Sequence, residues 1–283
     1  MAKIVSNKTI DNVTIRFAGD SGDVIQLSGG RFTQTSAVVG NDLSTLPDFP
    51  AEIRAPAGSL AGVSSFQIHF SSQEIHTPGE KPDVLVAMNP AALKVHLKDL
   101  VPGGTLIVNK NAFTKKNLTL AGYEDDPTED GSLVDYYSTH FIEMGKLVTN
   151  ACEGIDIPSK MVDRTKNLCA LGVLFWMYDR PLEPTIDWLN QKFKSKPDII
   201  EANVRALNTG YNYGDTAEIF TTRYIVEKAK LPKGKYRNMN GTLASCLGIL
   251  TAAEKSNLGI TFAGYPITPV SYTHLRAHET QPY

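Results

Sequence analysis

Apolar and β-branched residues cluster at Val13-Thr14-Ile15-Arg16-Phe17-Ala18 and stop at Gly19-Asp20-Ser21-Gly22-Asp23. A helical pattern then runs from about Val24 to Val39, so the opening reads as strand, tight turn, helix. Ser65 to Phe70, Val84 to Met88 and Thr105 to Asn109 are further short β-rich runs, and a helix is predicted between the last two, over Pro90 to Leu100. Strands buried on both faces show continuous rather than alternating apolar runs, as Val84-Leu85-Val86-Ala87-Met88 does. The β-α-β order and this run predict an α/β fold with a mostly parallel sheet.

Pro47, Pro50 and Pro56 imply an extended segment, since proline removes amide donors and disfavours helix in the residue before it; it reads as loop. Asp125 to Gly131 is an acidic turn cluster, read as a solvated loop without chemistry that leads to a strand near Tyr136 to Phe141. Asp163 to Tyr178 is apolar nearly all round its second half, which predicts a deeply packed helix with Trp176, like Trp188, anchoring the packing. Helices follow at Glu183 to Phe193 and Ile199 to Leu207. Lys228 to Asn240 has the proline, glycine and charge content of a linker, placing a domain boundary near residue 230. Beyond it come a helix over Thr242 to Lys255 and a strand over Ile260 to Ala263. No internal repeat is visible.

Composition narrows the function. Of 283 residues, 28 are Lys or Arg and 30 are Asp or Glu, a net charge of −2 that gives no basic excess for nucleic acid. No run of about 18 apolar residues occurs and the N-terminus lacks the apolar core of a secretory signal, so the expectation is a cytoplasmic protein without a membrane partner. Cys152, Cys169 and Cys246 form no CxxC pair and read as buried small apolar residues, with no zinc or iron–sulfur site on this chain. His69, His76, His96 and His140 show no metal-ligand spacing. Glu52 and Arg54 read as structural, and no Ser-His-Asp arrangement can be assembled.

Two turns carry candidate chemistry. Gly19, Asp20, Ser21 and Gly22 stand between a strand and a helix, where backbone amides and a helix dipole can cradle an anion. The spacing leaves open a plain sharp turn, and it lacks a dinucleotide fingerprint because Val24 and Ile25 stand where glycines would be needed. Near the end, Gly264-Tyr265-Pro266-Ile267-Thr268-Pro269 places two prolines around one hydroxyl, either a plain proline turn or a rigid corner presenting Thr268.

Phe17 to Leu60, Asp83 to Leu93, Pro102 to Asn109, Asn167 to Pro184 and the loop at 264–269 together resemble alpha subunits of 2-oxoacid:ferredoxin oxidoreductases, of the 2-oxoglutarate type. The resemblance implies a Rossmann-like gamma-type domain over 1–230, fused ahead of the first elements of a thiamine pyrimidine-binding domain over 231–269. Val24 and Thr242 depart from the family's usual glycine and asparagine. By resemblance Thr268 contacts the 2-oxoacid or its thiamine adduct, Tyr265, Pro266 and Ile267 shape the wall beside the cofactor, and Gly19 to Gly22 form a cofactor-side turn. The implied activity is oxidative decarboxylation of a 2-oxoacid with coenzyme A, giving an acyl-CoA and carbon dioxide and reducing ferredoxin. It uses thiamine diphosphate and Mg²⁺ shared with a beta subunit that carries the [4Fe–4S] cluster. Val270 to Thr280 resembles a translated sequencing-library adapter, so 270–283 reads as a non-native tail and the chain as cut short. Two other readings stay open: a non-catalytic assembly module of the complex, and a nucleotide-dependent dehydrogenase.

Overall fold

The β-branched run at the start of the chain becomes the middle of a six-stranded sheet. In the computed structural model, which describes residues 6–20, 25–50, 55–217 and 220–261, the elements are β1 (Ser6–Thr9), β2 (Asn12–Asp20), α1 (Ile25–Val39), β3 (Asp42–Asp48), β4 (Val63–Ser71), β5 (Val84–Ala87), α2 (Pro90–His96), β6 (Thr105–Asn109), α3 (Lys115–Leu120), α4 (Ser132–Tyr136), β7 (Ser138–Ile142), α5 (Met144–Ala151), α6 (Ser159–Arg164), α7 (Lys166–Met177), α8 (Glu183–Lys192), α9 (Pro197–Thr216), β8 (Thr222–Ile225) and α10 (Gly241–Ser256). The chain divides into two units, Met1–Pro232 and Lys233–Tyr283.

In the first unit the strand order is β3-β4-β2-β5-β6-β7. The pairs β2–β5, β5–β6 and β6–β7 are parallel, and β4 runs antiparallel to both β2 and β3. Five strands therefore share one direction, and the fold is α/β with a mostly parallel sheet, as expected. Alternation along β2 splits the core between two faces. Val13, Ile15 and Phe17 pack with Phe32 of α1 and with α7, whereas Ala18 meets Leu85, Ala87 and the Ala91, Ala92 and Leu93 face of α2. Phe32 is the aromatic hub, with ring centroids 5.3 Å from Phe70, 5.8 Å from Phe175 and 6.2 Å from both Phe17 and Tyr178.

The structure alters several expectations. The segment around Pro47 is not loop throughout: Asp42–Asp48 forms the edge strand β3, with Pro47 opposite Phe66. Proline is tolerated there because an edge strand has one side free of ladder partners. The helix expected over Pro90 to Leu100 ends at His96 and tightens into a 3-10 turn, Leu97–Asp99. The helix expected over Asp163 to Tyr178 is divided at Thr165 into α6 and α7. The helix expected to stop at Leu207 runs on to Thr216. Ile260 and Thr261 are not in a strand, and residues 262–283 lie outside those described. Cys152 and Cys169 are buried, but Cys246 on α10 is only half-buried. A second small sheet, β1 parallel to β8, had no signal in the local pattern.

In the second unit, Asn240 caps α10 by accepting from the Leu243 amide at 2.8 Å, and Asn257 closes it in the left-handed conformation at φ 54°. Among the described residues no helix is long and apolar enough to cross a membrane.

Behind the sheet, α7 and α9 cross with their backbones nearly touching. A Cβ on Gly210 would lie 1.9 Å from the Cys169 carbonyl oxygen, and one on Gly172 would lie 2.1 Å from that of Leu207. Neither neighbour can move aside, because both are helix backbone. Gly210→Val should therefore cost at least the 1–3 kcal/mol, roughly, typical of overpacking. Urea unfolding of the variant checks this, and a loss under about 0.5 kcal/mol would show that the helices separate easily.

Candidate binding crevice at the carboxyl ends of the parallel strands

Because α1 leaves β2 toward one face and α2 leaves β5 toward the other, the chain diverges between the carboxyl ends of these two strands. Open α/β sheets bind ligands at such switch points. Gly19 and Asp20 end β2 there, Met88 and Asn89 follow β5, and Asn109 ends β6. Met88 continues the ladder by donating its N–H to the Ala18 carbonyl at 2.9 Å. Gly19 is needed for the close approach: a Cβ would lie 2.9 Å from Ile25 Cδ1 and 3.1 Å from Met88 Cβ.

Asp20 holds the crevice's other wall, since both its carboxylate oxygens accept from the Gly58 amide, at 3.0 and 3.1 Å. The structure thus brings Gly19 and Asp20 to the crevice. Ser21 and Gly22 lie outside the described residues, as do Glu52, Arg54 and the loop with Tyr265, Pro266, Ile267 and Thr268.

Two asparagines at the crevice escaped the sequence reading. Asn89 caps α2 by accepting from the Ala92 amide at 2.8 Å, yet its buried Nδ2 has no hydrogen-bond partner among the described residues. Asn109 donates through Nδ2 to the Met88 carbonyl at 3.2 Å, while its buried Oδ1 has no partner among the described residues. A sealed polar atom left unpaired costs about 1–3 kcal/mol. One orphaned donor and one orphaned acceptor at adjacent strand ends suit a ligand or water carrying both complements. The signal in the sequence was an asparagine closing each of two apolar strands, Met88-Asn89 and Val108-Asn109.

Past Asn109, the Lys110 ammonium ties the strand end to the acidic loop. It bonds Thr128 Oγ1, Asp126 at 3.3 Å and Glu129 at 3.4 Å. The loop read as simply solvated is therefore a tether. Burial pushes the Asp126 carboxyl upward, but hydrogen bonds from Thr128 and Lys110, with the lysine's charge, outweigh that and hold it below its ordinary value.

Among the histidines, His96 is buried with Nδ1 3.2 Å from Arg16 Nη1, and His140 stacks on Phe220 at 4.5 Å. Burial lowers both pKa values, favouring neutral rings. Among the described residues no group of three or more His, Cys, Asp or Glu is placed to hold a metal ion.

The family model described as pyruvate ferredoxin/flavodoxin oxidoreductase matches residues 14–213, from β2 through most of α9. The chain belongs to this family. Within it, the chain is 52% identical over 262 residues to the 2-oxoglutarate oxidoreductase subunit KorA of Mycobacterium tuberculosis (strain ATCC 25618 / H37Rv), an alignment covering 93% of this chain and 40% of that protein. The chain therefore spans well under half the length of this curated relative. The fold is shared with a 2-oxoglutarate:ferredoxin oxidoreductase from Magnetococcus marinus, solved with 2-oxoglutarate, coenzyme A and succinyl-CoA bound. The TM-score is 0.70 at 23% identity, covering 95% of this chain and 42% of that one.

The Lys110 tether gives a pH prediction. A carboxyl whose folded pKa is depressed stabilises the fold above its unfolded value, and that contribution disappears as pH falls through the folded value. Lys110→Met should raise the Asp126 titration midpoint toward its ordinary value and shrink the acid-side stability loss due to this group. Carbon-detected NMR titration reads the midpoint directly; an unmoved midpoint would remove Lys110 as a cause.

Proposed function

We propose that the chain is part of the alpha subunit of a 2-oxoacid:ferredoxin oxidoreductase acting on 2-oxoglutarate, oxidatively decarboxylating it with coenzyme A and passing electrons to ferredoxin in the cytoplasm. The observation that carries this reading is the 52% identity, across 93% of the chain, with a subunit named for 2-oxoglutarate oxidation. In this reading Met1–Pro232 is the gamma-type domain, and the chain from Lys233 on opens the pyrimidine-binding domain.

The family consists of oxidoreductases that depend on thiamine diphosphate and iron–sulfur clusters. Thiamine diphosphate, when bound, supplies the carbanion chemistry of decarboxylation. Thr268 holds the oxoacid through its hydroxyl, and Tyr265, Pro266 and Ile267 wall the pocket. The crevice at Gly19, Asp20, Asn89 and Asn109 shapes the gamma-type side, where the orphaned amide atoms offer one donor and one acceptor to a polar ligand. In this reading a beta-type partner brings the [4Fe–4S] cluster and the Mg²⁺–diphosphate site, while Cys152, just past α5, and Cys169, in α7, stay buried as packing residues.

Asp20 weighs against a nucleotide-dependent dehydrogenase, because it puts a carboxylate at the carboxyl end of β2, the place a dinucleotide's phosphates would need to approach. The assembly-module reading differs in one testable respect: it needs no Thr268.

The test is coexpression of a chain extended to the relative's length with a beta-type partner, followed by viologen reduction. Reduction should require 2-oxoglutarate, coenzyme A and thiamine diphosphate together, and Thr268→Ala should lower kcat by about a hundredfold, the scale of losing one well-placed polar contact to the reacting group. Absence of reduction with every 2-oxoacid tried would defeat the catalytic reading, and full activity of the variant would defeat the role of Thr268.

A further inference from the structure

Arg180 lies three residues past the last residue of α7 and is 3% exposed. Its Nε and Nη2 are sealed from solvent without a hydrogen-bond partner among the described residues, and its guanidinium lies over the Phe70 ring, 4.8 Å from the centroid. Buried charges are ordinarily paired, because burial strips their hydration. Asp179, held at φ 51°, gives its carboxylate to Arg223 at 2.6 Å and acts on Arg180 only through its charge, without a hydrogen bond. Burial lowers the Arg180 pKa to about 10, which leaves the group charged at neutral pH.

This arginine lines a hollow of about 430 Å³. Lys228 brings a second cation to its rim, and Val39, Tyr178, Ile225 and Val226 supply an apolar wall. Glu227 is the other acid on the rim; it is exposed and forms no ion pair among the described residues. The hollow adjoins the last residue of α1, whereas the crevice lies where that helix begins, about 22 Å away at 1.5 Å per residue. It is a separate place on the fold, at the amino-terminal end of the parallel strands.

We propose that this hollow binds a small organic carboxylate, which pairs with Arg180 and Lys228 while its short carbon body lies on Val39 and Ile225. A lone phosphate or sulfate would match the charge but leave the apolar wall uncovered. The proposal stands apart from the catalytic reading, and its test needs no activity.

Thermal melting of the full 283-residue chain tests it, with acetate, propionate and succinate titrated against chloride, phosphate and sulfate at constant ionic strength. A ligand that binds only the folded state at about a hundred times its Kd should raise Tm by about 5–10 °C. The carboxylates should do so, and Arg180→Met should abolish the rise. In chloride alone Arg180→Met should melt no lower than the parent, since it removes an unpaired buried charge. If that variant shows no cooperative melt, Lys228→Met decides, because Lys228 is exposed and its loss should weaken carboxylate binding several-fold without unfolding the chain. An equal rise in the variants, no rise with any carboxylate, or a rise with phosphate or sulfate alone would each overturn the proposal.

Discussion

The contact between the backbones of α7 and α9 at Gly172 and Gly210 determines how deeply α7 can sit behind the sheet. From Asn167 to Met177 every residue of α7 is buried, so the helix has no solvent face and must be enclosed on all sides. One side is α9; the other is α1, reached through Phe175 against Phe32. The position of α1 in turn fixes where its first turn meets the end of β2. Trp176 keeps its one polar atom satisfied in this interior by donating to Asp215 at 3.0 Å. A bulkier pair of residues at the crossing would push α7 outward and loosen the floor on which α1 rests.

The legible parts of the fold were those whose signal is local. The apolar runs at β2, β5 and β6 announced buried parallel strands, and the helical pattern beyond the glycine-rich break announced α1. What failed depended on distant partners. The helix read as ending at Leu207 continues through Gly210 to Thr216, because α7 packs against that glycine inside α9. Pro47 looked incompatible with a sheet until the segment proved to be an edge. Strand β1 is polar and exposed, and only its pairing with β8 makes it a strand.

The candidate site divides along the same line. Gly19 and Asp20 were read as the start of a turn, whereas they are the last paired residues of β2, opposite Ser64 and Val63, and the partner of Asp20, Gly58, lies 38 residues away across a proline-rich stretch. Asn89 and Asn109 are unremarkable in sequence and gain meaning from burial, which turns an amide atom without a partner into a demand for one. Arg180 obeys the same physics at the other end of the sheet, with a full charge in place of a dipole. In both places the fold holds polar groups that no described residue satisfies, and both sit at strand or helix ends, where side chains meet from separate elements.

The pairing of β1 with β8 joins Ser6 to Thr222 and so brings together residues more than two hundred apart. During synthesis at about 5–20 residues per second, Ser6–Thr9 leaves the ribosome some 10–40 s before its mate exists. The main sheet, whose last strand ends at Ile142, can assemble meanwhile, so the small sheet acts as a latch fastened last. Its completion ties the start of the first unit to a strand seven residues before that unit's end.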